Sequence, residues 1–176
     1  MIRFILVYGS IAGLIVAGFL IGGIVYADAS GSAGSALFGY LSMLLAMSLI
    51  FVAVKRYRDD RLGGVIKFWP ALALGAGIAF TASLFYVFAW EIYYNVSDGA
   101  WITTYVDEMR AQQEAAGKSA EEIEAYMAEM GAMMEMYQNW WFRMPVTLTE
   151  ILPVGLLVAL ISSATLRNPN ILPRRA

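Results

Sequence analysis

The chain has 176 residues, of which 60% are apolar and only 15% are charged, with a net charge of −2. A soluble domain carries about a quarter charged residues, so this composition favours a membrane protein. The sequence has no cysteine and no histidine, which excludes disulfides, thiolate metal sites and a Ser-His-Asp triad. We therefore expect no cofactor, no metal site and no enzymatic activity.

Four long apolar runs lie at about residues 4–26, 37–54, 69–94 and 145–166. Each is close to the ~20 residues that a helix needs to cross the hydrocarbon core of a bilayer. We predict an all-α integral membrane four-helix bundle, a single membrane domain over residues 1–176, with an extracytoplasmic amphipathic insertion at residues 95–144. The first run is longer than the apolar part of a signal peptide, which favours an uncleaved span.

The distribution of lysine and arginine predicts the direction in which the chain crosses the membrane. Residues 27–36 include no basic residue, and residues 95–144 include three basic against nine acidic residues. Because basic residues near span ends stay in the cytoplasm, we predict cytoplasmic termini and an extracytoplasmic acidic segment. The cytoplasmic charges are Arg3, Arg167, Arg174 and Arg175, and a basic loop that also attracts anionic lipid, made of Lys55, Arg56, Arg58, Arg61 and Lys67.

Small residues recur at every fourth position in three of the apolar runs. In lipid, such stripes let helix backbones approach closely, because association depends on packing and not on expelling water. We expect them to pack the four helices of one chain, although a homo-oligomer would use the same stripes. They are two separate pairs in the first run, Gly9 with Gly13 and Gly18 with Gly22, then Ala71, Gly75, Ala79 and Ser83 in the third, and Gly155, Ala159 and Ser163 in the fourth.

The segment at residues 95–144 shows two amphipathic helical patterns, which we expect to form a hairpin. The first covers residues 101–116, and Gly117 is typical of a helix end. Ser119 followed by Glu122 matches a capping box at the start of the second helix. We interpret the five methionines between residues 127 and 136 as an adaptable apolar face and not as a copper(I) site, because no cysteine or histidine accompanies them.

Two carboxylates are candidate polar sites within the membrane. Glu91 lies among aromatic residues typical of a membrane interface, at a level where Arg143 can pair with it. Glu150 lies deeper, beside Thr149 and near Pro153, which has no N–H to donate to the helical ladder. Ionisable groups at such depth mark functional sites, and the site would couple protons or cations. Alternatively, Glu150 bonds Arg143 or a tyrosine of another helix and fixes the packing.

Five segments of the chain carry a resemblance to a known family. They are residues 39–43 (GYLSM), 54–59 (VKRYRD), 63–69 (GGVIKFW), 90–93 (WEIY) and 142–155 (FRMPVTLTEILPVG). These segments resemble the domain-of-unknown-function 4199 family. The resemblance covers essentially the whole chain and implies a four-pass inner-membrane protein from bacteria. It brings no activity, cofactor or catalytic residue.

Two functions remain open from the sequence. The first is a non-enzymatic membrane protein that acts through contacts with membrane lipids, with another membrane protein or with a second copy of itself. The second is a small proton- or cation-coupled transporter or permease that uses Glu150 and Glu91. No motif for nucleic acid is present in the basic loop, so we expect no nucleic-acid partner.

Overall fold

The computed structural model describes residues 1–30, 36–97 and 99–174. In this part of the chain every regular element is an α-helix, which confirms the predicted all-α class. Residues 31–35 of the first connection, Asp98 and Arg175 lie outside the described residues. The helices are α1 (Ile2–Ser30), α2 (Ala36–Met47), α3 (Leu49–Arg61), α4 (Phe68–Val96), α5 (Ala100–Ala115), α6 (Ala120–Tyr137) and α7 (Trp140–Leu166).

Four helical stretches are long and apolar enough to cross a membrane: Ile2–Ala27, Leu37–Arg61, Phe68–Val96 and Trp140–Leu166. Their number and order agree with the four predicted spans, but the helices extend beyond the predicted ends. The fourth begins at Trp140 and not near residue 145. Its first turn forms earlier because the backbone N–H groups of Phe142 and Arg143 donate to the Asn139 carbonyl at 3.0 and 2.9 Å, before the chain reaches Pro145.

The second span consists of α2 and α3, with a one-residue interruption at Ser48. The Ser48 hydroxyl donates to the carbonyl of Leu45 at 2.6 Å, and its N–H reaches the carbonyls of both Leu44 and Leu45. Ser42 makes the same kind of bond to the Gly39 carbonyl within α2, and Ser48 keeps helical backbone angles, so the interruption is confined to this one residue. Helix α3 then continues past residue 54 into the basic loop.

The chain divides into two compact units. Unit 1 comprises Met1–Trp90 and Leu148–Ala176, and unit 2 comprises Glu91–Thr147. Helices α4 and α7 therefore contribute residues to both units. The residue range of unit 2 corresponds approximately to the predicted insertion at residues 95–144, but it also includes the end of α4 and the beginning of α7.

Within unit 1, α4 packs against α1 at two glycines. A Cβ added at Gly9 would lie 2.6 Å from the Cβ of Thr81, and one added at Gly13 would lie 2.7 Å from the Cβ of Phe85. Carbon atoms in contact are normally about 3.5–4.0 Å apart, so only glycine fits at these two positions without a shift. Gly18 and Gly22 differ, because no atom lies within 4 Å of a Cβ added at either. The expectation that they pack against a neighbouring helix is therefore wrong for the described chain.

Helices α4 and α7 also meet through small residues in unit 1. A Cβ added at Gly75 would lie 2.8 Å from the Cβ of Ala159, and one added at Gly155 would lie 2.7 Å from the Cβ of Ala79. The two contacts pair ascending positions of α4 with descending positions of α7, so the two helices are antiparallel there. Ala71, one turn before Gly75, is fully buried.

Unit 2 contains α5, α6 and the turn between them. Gly117 has a φ of +72°, which a residue with a Cβ rarely adopts, and it ends the turn after α5 as predicted. The capping box is confirmed: the Ser119 N–H donates to Oε2 of Glu122 at 2.9 Å, and the Glu122 N–H donates to Oγ of Ser119 at 3.3 Å. These two bonds fix the position at which α6 begins.

Helix α6 buries one face and exposes the other. Its buried residues are Ile123, Met130, Met134 and Tyr137, so two of the five methionines interpreted as an apolar face are buried. Its methionines are divided between the two faces, because Met133 and Met136 are exposed. On α5, the sulfur of Met109 lies 4.0 Å from the hydroxyl of Tyr126 of α6, so the two helices contact each other.

Candidate functional site

A buried guanidinium, that of Arg143, lies near the start of α7 in unit 2. Its Nε donates to Oε1 of Glu91 at 2.7 Å, and its Nη2 donates to Oε2 at 2.6 Å. Two parallel bonds of this kind are charge-assisted and hold both planar groups in one orientation. The side chains are only 3% and 12% exposed, so the pair is shielded from solvent.

The third nitrogen of the same guanidinium binds the end of α6. Nη1 of Arg143 donates to the carbonyls of Tyr137 and Gln138 at 3.0 and 3.1 Å. The last carbonyls of a helix lack partners inside the helix, and a cation there also interacts favourably with the helix dipole. Arg143 therefore caps α6 while it binds the carboxylate of α4.

Two tyrosine rings enclose the ion pair. The Cζ atom of Arg143 lies 3.6 Å from the centroid of the Tyr94 ring, within the range of a cation–π contact. The Tyr94 ring meets that of Tyr137 edge to face, with centroids 6.2 Å apart. One side chain thus joins the end of α4, the end of α6 and the beginning of α7 into a single fixed cluster.

Beside this cluster is an open cleft of about 520 Å³. Tyr94 and Gln138 belong both to the cleft wall and to the surroundings of Arg143. Asn95 is also held in place, because its side-chain amide donates to the carbonyl of Glu91 at 2.7 Å. The lining includes amide and hydroxyl groups next to apolar ones, as ligand sites in proteins commonly do. The complete lining is Tyr94, Asn95, Gly99, Ile102, Thr103 and Gln138.

Glu150 belongs to unit 1, whereas Glu91 and Arg143 belong to unit 2. Its carboxyl accepts a hydrogen bond from the side chain of Tyr86, a buried residue of α4. The structure thus realises the tyrosine alternative given by the sequence. Glu150 is nevertheless exposed at the side of its unit, as are Thr149 and Pro153 on the same face of α7. The three predicted residues therefore lie together on an outward face and do not line an internal cavity of unit 1.

Arg58, one of the five basic-loop residues, is fully buried in unit 1. Its Nε donates to Oδ1 of Asp59 at 2.7 Å, and Nη1 donates to the carbonyl of Ile171 at 3.0 Å. Further bonds reach the carbonyls of Leu166 and Leu172. Its guanidinium therefore ties the end of α3 to the segment that follows α7, a role that the sequence analysis did not anticipate.

The other four residues of the basic loop are arranged differently. Lys55 pairs with Asp59 across one turn of α3, with 2.6 Å between the ammonium and the carboxylate. Arg56 donates to the hydroxyl of Tyr8 in α1 at 3.2 Å. Arg61 and Lys67 are exposed. The loop thus combines one buried structural arginine with cations that remain at the surface.

The cleft residues were not among the sequence candidates. Asn95, Thr103 and Gln138 are ordinary polar residues, and only their meeting in space distinguishes them. The one available signal was Gly99, whose φ of +72° places a tight turn directly after α4. For metals, no group of three or more Asp or Glu side chains lies close enough to hold an ion in the described ranges.

Comparison with known proteins places the chain in a family. Residues 7–168 match the family described as "Protein of unknown function (DUF4199)". No curated protein and no solved structure matches the chain. The family match covers most of the sequence and agrees with the resemblance carried by its short motifs. The chain, with its four helices suited to a membrane, therefore belongs to the DUF4199 family.

Proposed function

We propose that the protein is a non-enzymatic four-pass protein of the bacterial inner membrane, which binds another membrane component through the cleft of unit 2. Both termini would be cytoplasmic, and residues 95–144 would lie on the extracytoplasmic side. The main observation in support is the Arg143 cluster. It holds Tyr94 and Gln138 of the cleft wall in fixed positions, in a unit that is otherwise made of short helices. A cleft with fixed walls is ready to bind without first being ordered.

The topology rests on the charges at the span ends. Lys55, Arg56 and Arg61 lie in the last two turns of the second candidate span, and Lys67 directly precedes the third. Arg3 lies at the beginning of the first span, and Arg167 directly follows the fourth. Lysine and arginine at such positions are retained on the cytoplasmic side. The opposite ends of the third and fourth spans adjoin the acidic segment at residues 95–144, which supports its extracytoplasmic placement.

The charge of that segment indicates the chemistry of the partner. Nine acidic residues against three basic ones give residues 95–144 a negative field. One of the three basic residues, Arg143, is neutralised by Glu91. Complementary charge speeds association and selects partners, so we propose a membrane protein that presents a basic surface to the cleft.

Site-directed photo-crosslinking in native membranes tests this binding. A benzoylphenylalanine at Thr103, in the cleft, should give a discrete adduct, and the same group at Gln112, exposed on α5, should not. The adduct should disappear when Arg143→Met is added, because the cleft wall loses its support. Equal labelling from both positions, or an adduct insensitive to Arg143→Met, would contradict a specific cleft.

A transporter that uses Glu150 and Glu91 is the second candidate function. It is supported by the position of Glu150, whose carboxyl lies within a candidate span, accepts a hydrogen bond from the buried Tyr86 and faces out of unit 1. An ionisable group in such a place is costly in lipid. Because this face is open in one chain, transport would require a second copy to complete the site.

Ion flux in proteoliposomes distinguishes the two functions. Glu150→Gln keeps the shape of the side chain and its ability to accept from Tyr86, but it cannot exchange a proton. On the transport alternative, flux falls in this variant while the protein stays folded. On the binding proposal, the wild-type protein gives no flux above empty vesicles, and the crosslink at Thr103 is unchanged in Glu150→Gln.

A further inference from the structure

A second recess lies in unit 1, between the beginning of α1 and the end of α3. It has a volume of about 280 Å³ and is lined by Arg3, Phe4, Val7, Tyr8 and Arg61. We propose that this recess, here called the α1–α3 groove, binds one anionic phospholipid. The phosphate would contact Arg3 and Arg61, and an acyl chain would lie along Phe4 and Val7. The inference rests on the proposed membrane topology, which places the groove at the cytoplasmic leaflet.

The wall of the groove is built from aromatic rings held in fixed positions. The ring of Phe4 stacks on that of Tyr8, with centroids 5.7 Å apart and an angle of 18° between the planes. Phe4 also meets Tyr57 of α3 edge to face at 5.2 Å. The hydroxyl of Tyr8 accepts a hydrogen bond from Arg56 of α3. These contacts link α1 to α3, so the apolar surface of the groove persists without a ligand.

The two arginines of the groove are available to an anion. Both are exposed, and neither makes a salt bridge within the described residues. Arg58 and Arg143 differ, because their guanidinium groups are buried and bound to carboxylates and carbonyls. The neighbouring Asp60 interacts with Arg56. Arg3 and Arg61 are therefore two open cations that both border the groove.

The chemistry of the lining selects a lipid over other anions. Arginine binds phosphate through two parallel hydrogen bonds, and basic pockets between transmembrane helices on the cytoplasmic side bind anionic headgroups. A free phosphate would use the arginines but would leave the apolar part of the groove, including the exposed Val7, uncovered. An acyl chain beside a headgroup satisfies both parts of the groove, since charge and apolar surface lie together as they do in a phospholipid.

Native mass spectrometry of the detergent-solubilised protein with added phosphatidylglycerol or phosphatidylcholine tests the groove. Wild type should retain one phosphatidylglycerol and no phosphatidylcholine. The double variant Arg3→Gln/Arg61→Gln should bind phosphatidylglycerol at least about tenfold more weakly, since each cation near an anionic surface contributes on the order of fivefold. Inorganic phosphate should neither displace the lipid nor bind in its place, and displacement by phosphate alone would overturn the lipid assignment.

The matched control is Lys67→Gln/Arg167→Gln, which removes the same charge from two exposed residues outside the groove. It should retain the lipid as wild type does. If both double variants lose affinity equally, the attraction is diffuse and the groove is not a site. A third variant, Val7→Trp, fills the groove and keeps every charge, so retained lipid in this variant would also contradict the proposal.

Separate measurements keep this inference apart from the topology on which it rests. The melting temperature of Arg3→Gln/Arg61→Gln in detergent without lipid should equal that of wild type, because neither side chain has an ionic partner in the described chain. Accessibility labelling of the two membrane faces reports topology directly. If the topology is as proposed but no lipid is retained selectively, only the lipid site in the α1–α3 groove is contradicted. If the topology is inverted, the proposed function is contradicted as well.

Discussion

Arg143 and Glu91 are joined by two hydrogen bonds of 2.7 and 2.6 Å across 52 positions of sequence. The pair is shielded from solvent, and its guanidinium also caps α6. Removing one partner of a buried pair leaves an uncompensated charge, which costs about 3–5 kcal/mol. Unit 2 is therefore expected to lose stability when either partner is replaced, because the charge of the remaining partner is buried without compensation.

We predict that Arg143→Met lowers the thermal stability of the protein in detergent, because Glu91 and the carbonyls at the end of α6 lose their donors. The double variant Arg143→Met/Glu91→Leu should be less destabilised than Arg143→Met alone. Arg143→Lys should not restore wild-type stability, because an ammonium cannot make the same set of directed bonds. If Arg143→Met has the same melting temperature as wild type, the Arg143–Glu91 pair does not stabilise unit 2.

The second prediction concerns two glycines with opposite surroundings. Gly155→Ala brings a methyl group to 2.7 Å from the Cβ of Ala79, whereas Gly22→Ala enters open space. We expect Gly155→Ala to destabilise by about 1–3 kcal/mol through overpacking. Gly22→Ala should be neutral or stabilising by up to about 1 kcal/mol, because alanine favours the helix more than glycine does. Unfolding in a denaturing detergent measures both, and equal effects would contradict the described α4–α7 contact.

The third prediction concerns the capping box of α6. The hydrogen bond from the Ser119 backbone N–H, together with its hydroxyl and the nearby Lys118, holds the pKa of Glu122 below its ordinary value of 4.5. Since the pKa is lower in the folded state, this stabilisation is complete above the unfolded value and is lost as the pH falls through the folded value. The amide resonance of Ser119 should therefore titrate with a midpoint below 4.5 by NMR.

Two variants check the origin of this titration. In Glu122→Gln the Ser119 resonance should no longer titrate, although α6 still forms because glutamine also completes a capping box. Ser119→Ala should weaken the helix start by about 1 kcal/mol. A midpoint at or above the ordinary glutamate value would show that the Ser119–Glu122 bond is absent in solution.

The fourth prediction concerns the segment after α7. Because Arg58 donates to the carbonyls of Leu166, Ile171 and Leu172, Arg58→Met should release that segment. Hydrogen exchange at residues 167–172 should then become faster, while exchange within α4 changes little. Arg167→Met serves as the control, since Arg167 is exposed. Equal exchange in wild type and Arg58→Met would mean that other contacts hold the segment.

Long apolar runs and local motifs were sufficient to predict the helices of this chain. The spans follow from hydrophobic length, and Gly117 and Ser119 follow from backbone rules that act over a few residues. The ion pair between Glu91 and Arg143 could also be predicted from the sequence, because both residues lie beside aromatic residues near the ends of predicted spans. The interruption at Ser48 could not be predicted from the sequence. Serine is tolerated in many helices, and its hydroxyl can bond to more than one carbonyl of the preceding turn.

The environments of single side chains were harder to predict because they depend on distant parts of the chain. Arg58 stands in a run of charges and bonds the adjacent Asp59, yet its other three partners are carbonyls more than 100 positions away, and nothing local indicates them. Glu150 was predicted from its depth in the fourth run and from the neighbouring Thr149 and Pro153. Whether it faces inward or outward depends on which side of α7 meets α4, and Gly155 and Ala159 fix that side only once their partners Ala79 and Gly75 are known.

The membrane topology of the chain is the claim on which both proposed binding sites depend. Because the sequence has no cysteine, a single introduced cysteine reports one position without background. A membrane-impermeant maleimide should label Gln112→Cys in intact spheroplasts, and it should label Asn168→Cys only after the membrane is opened. Labelling of both positions in intact spheroplasts, or of Asn168→Cys alone, would contradict the four-pass arrangement with its acidic helices outside.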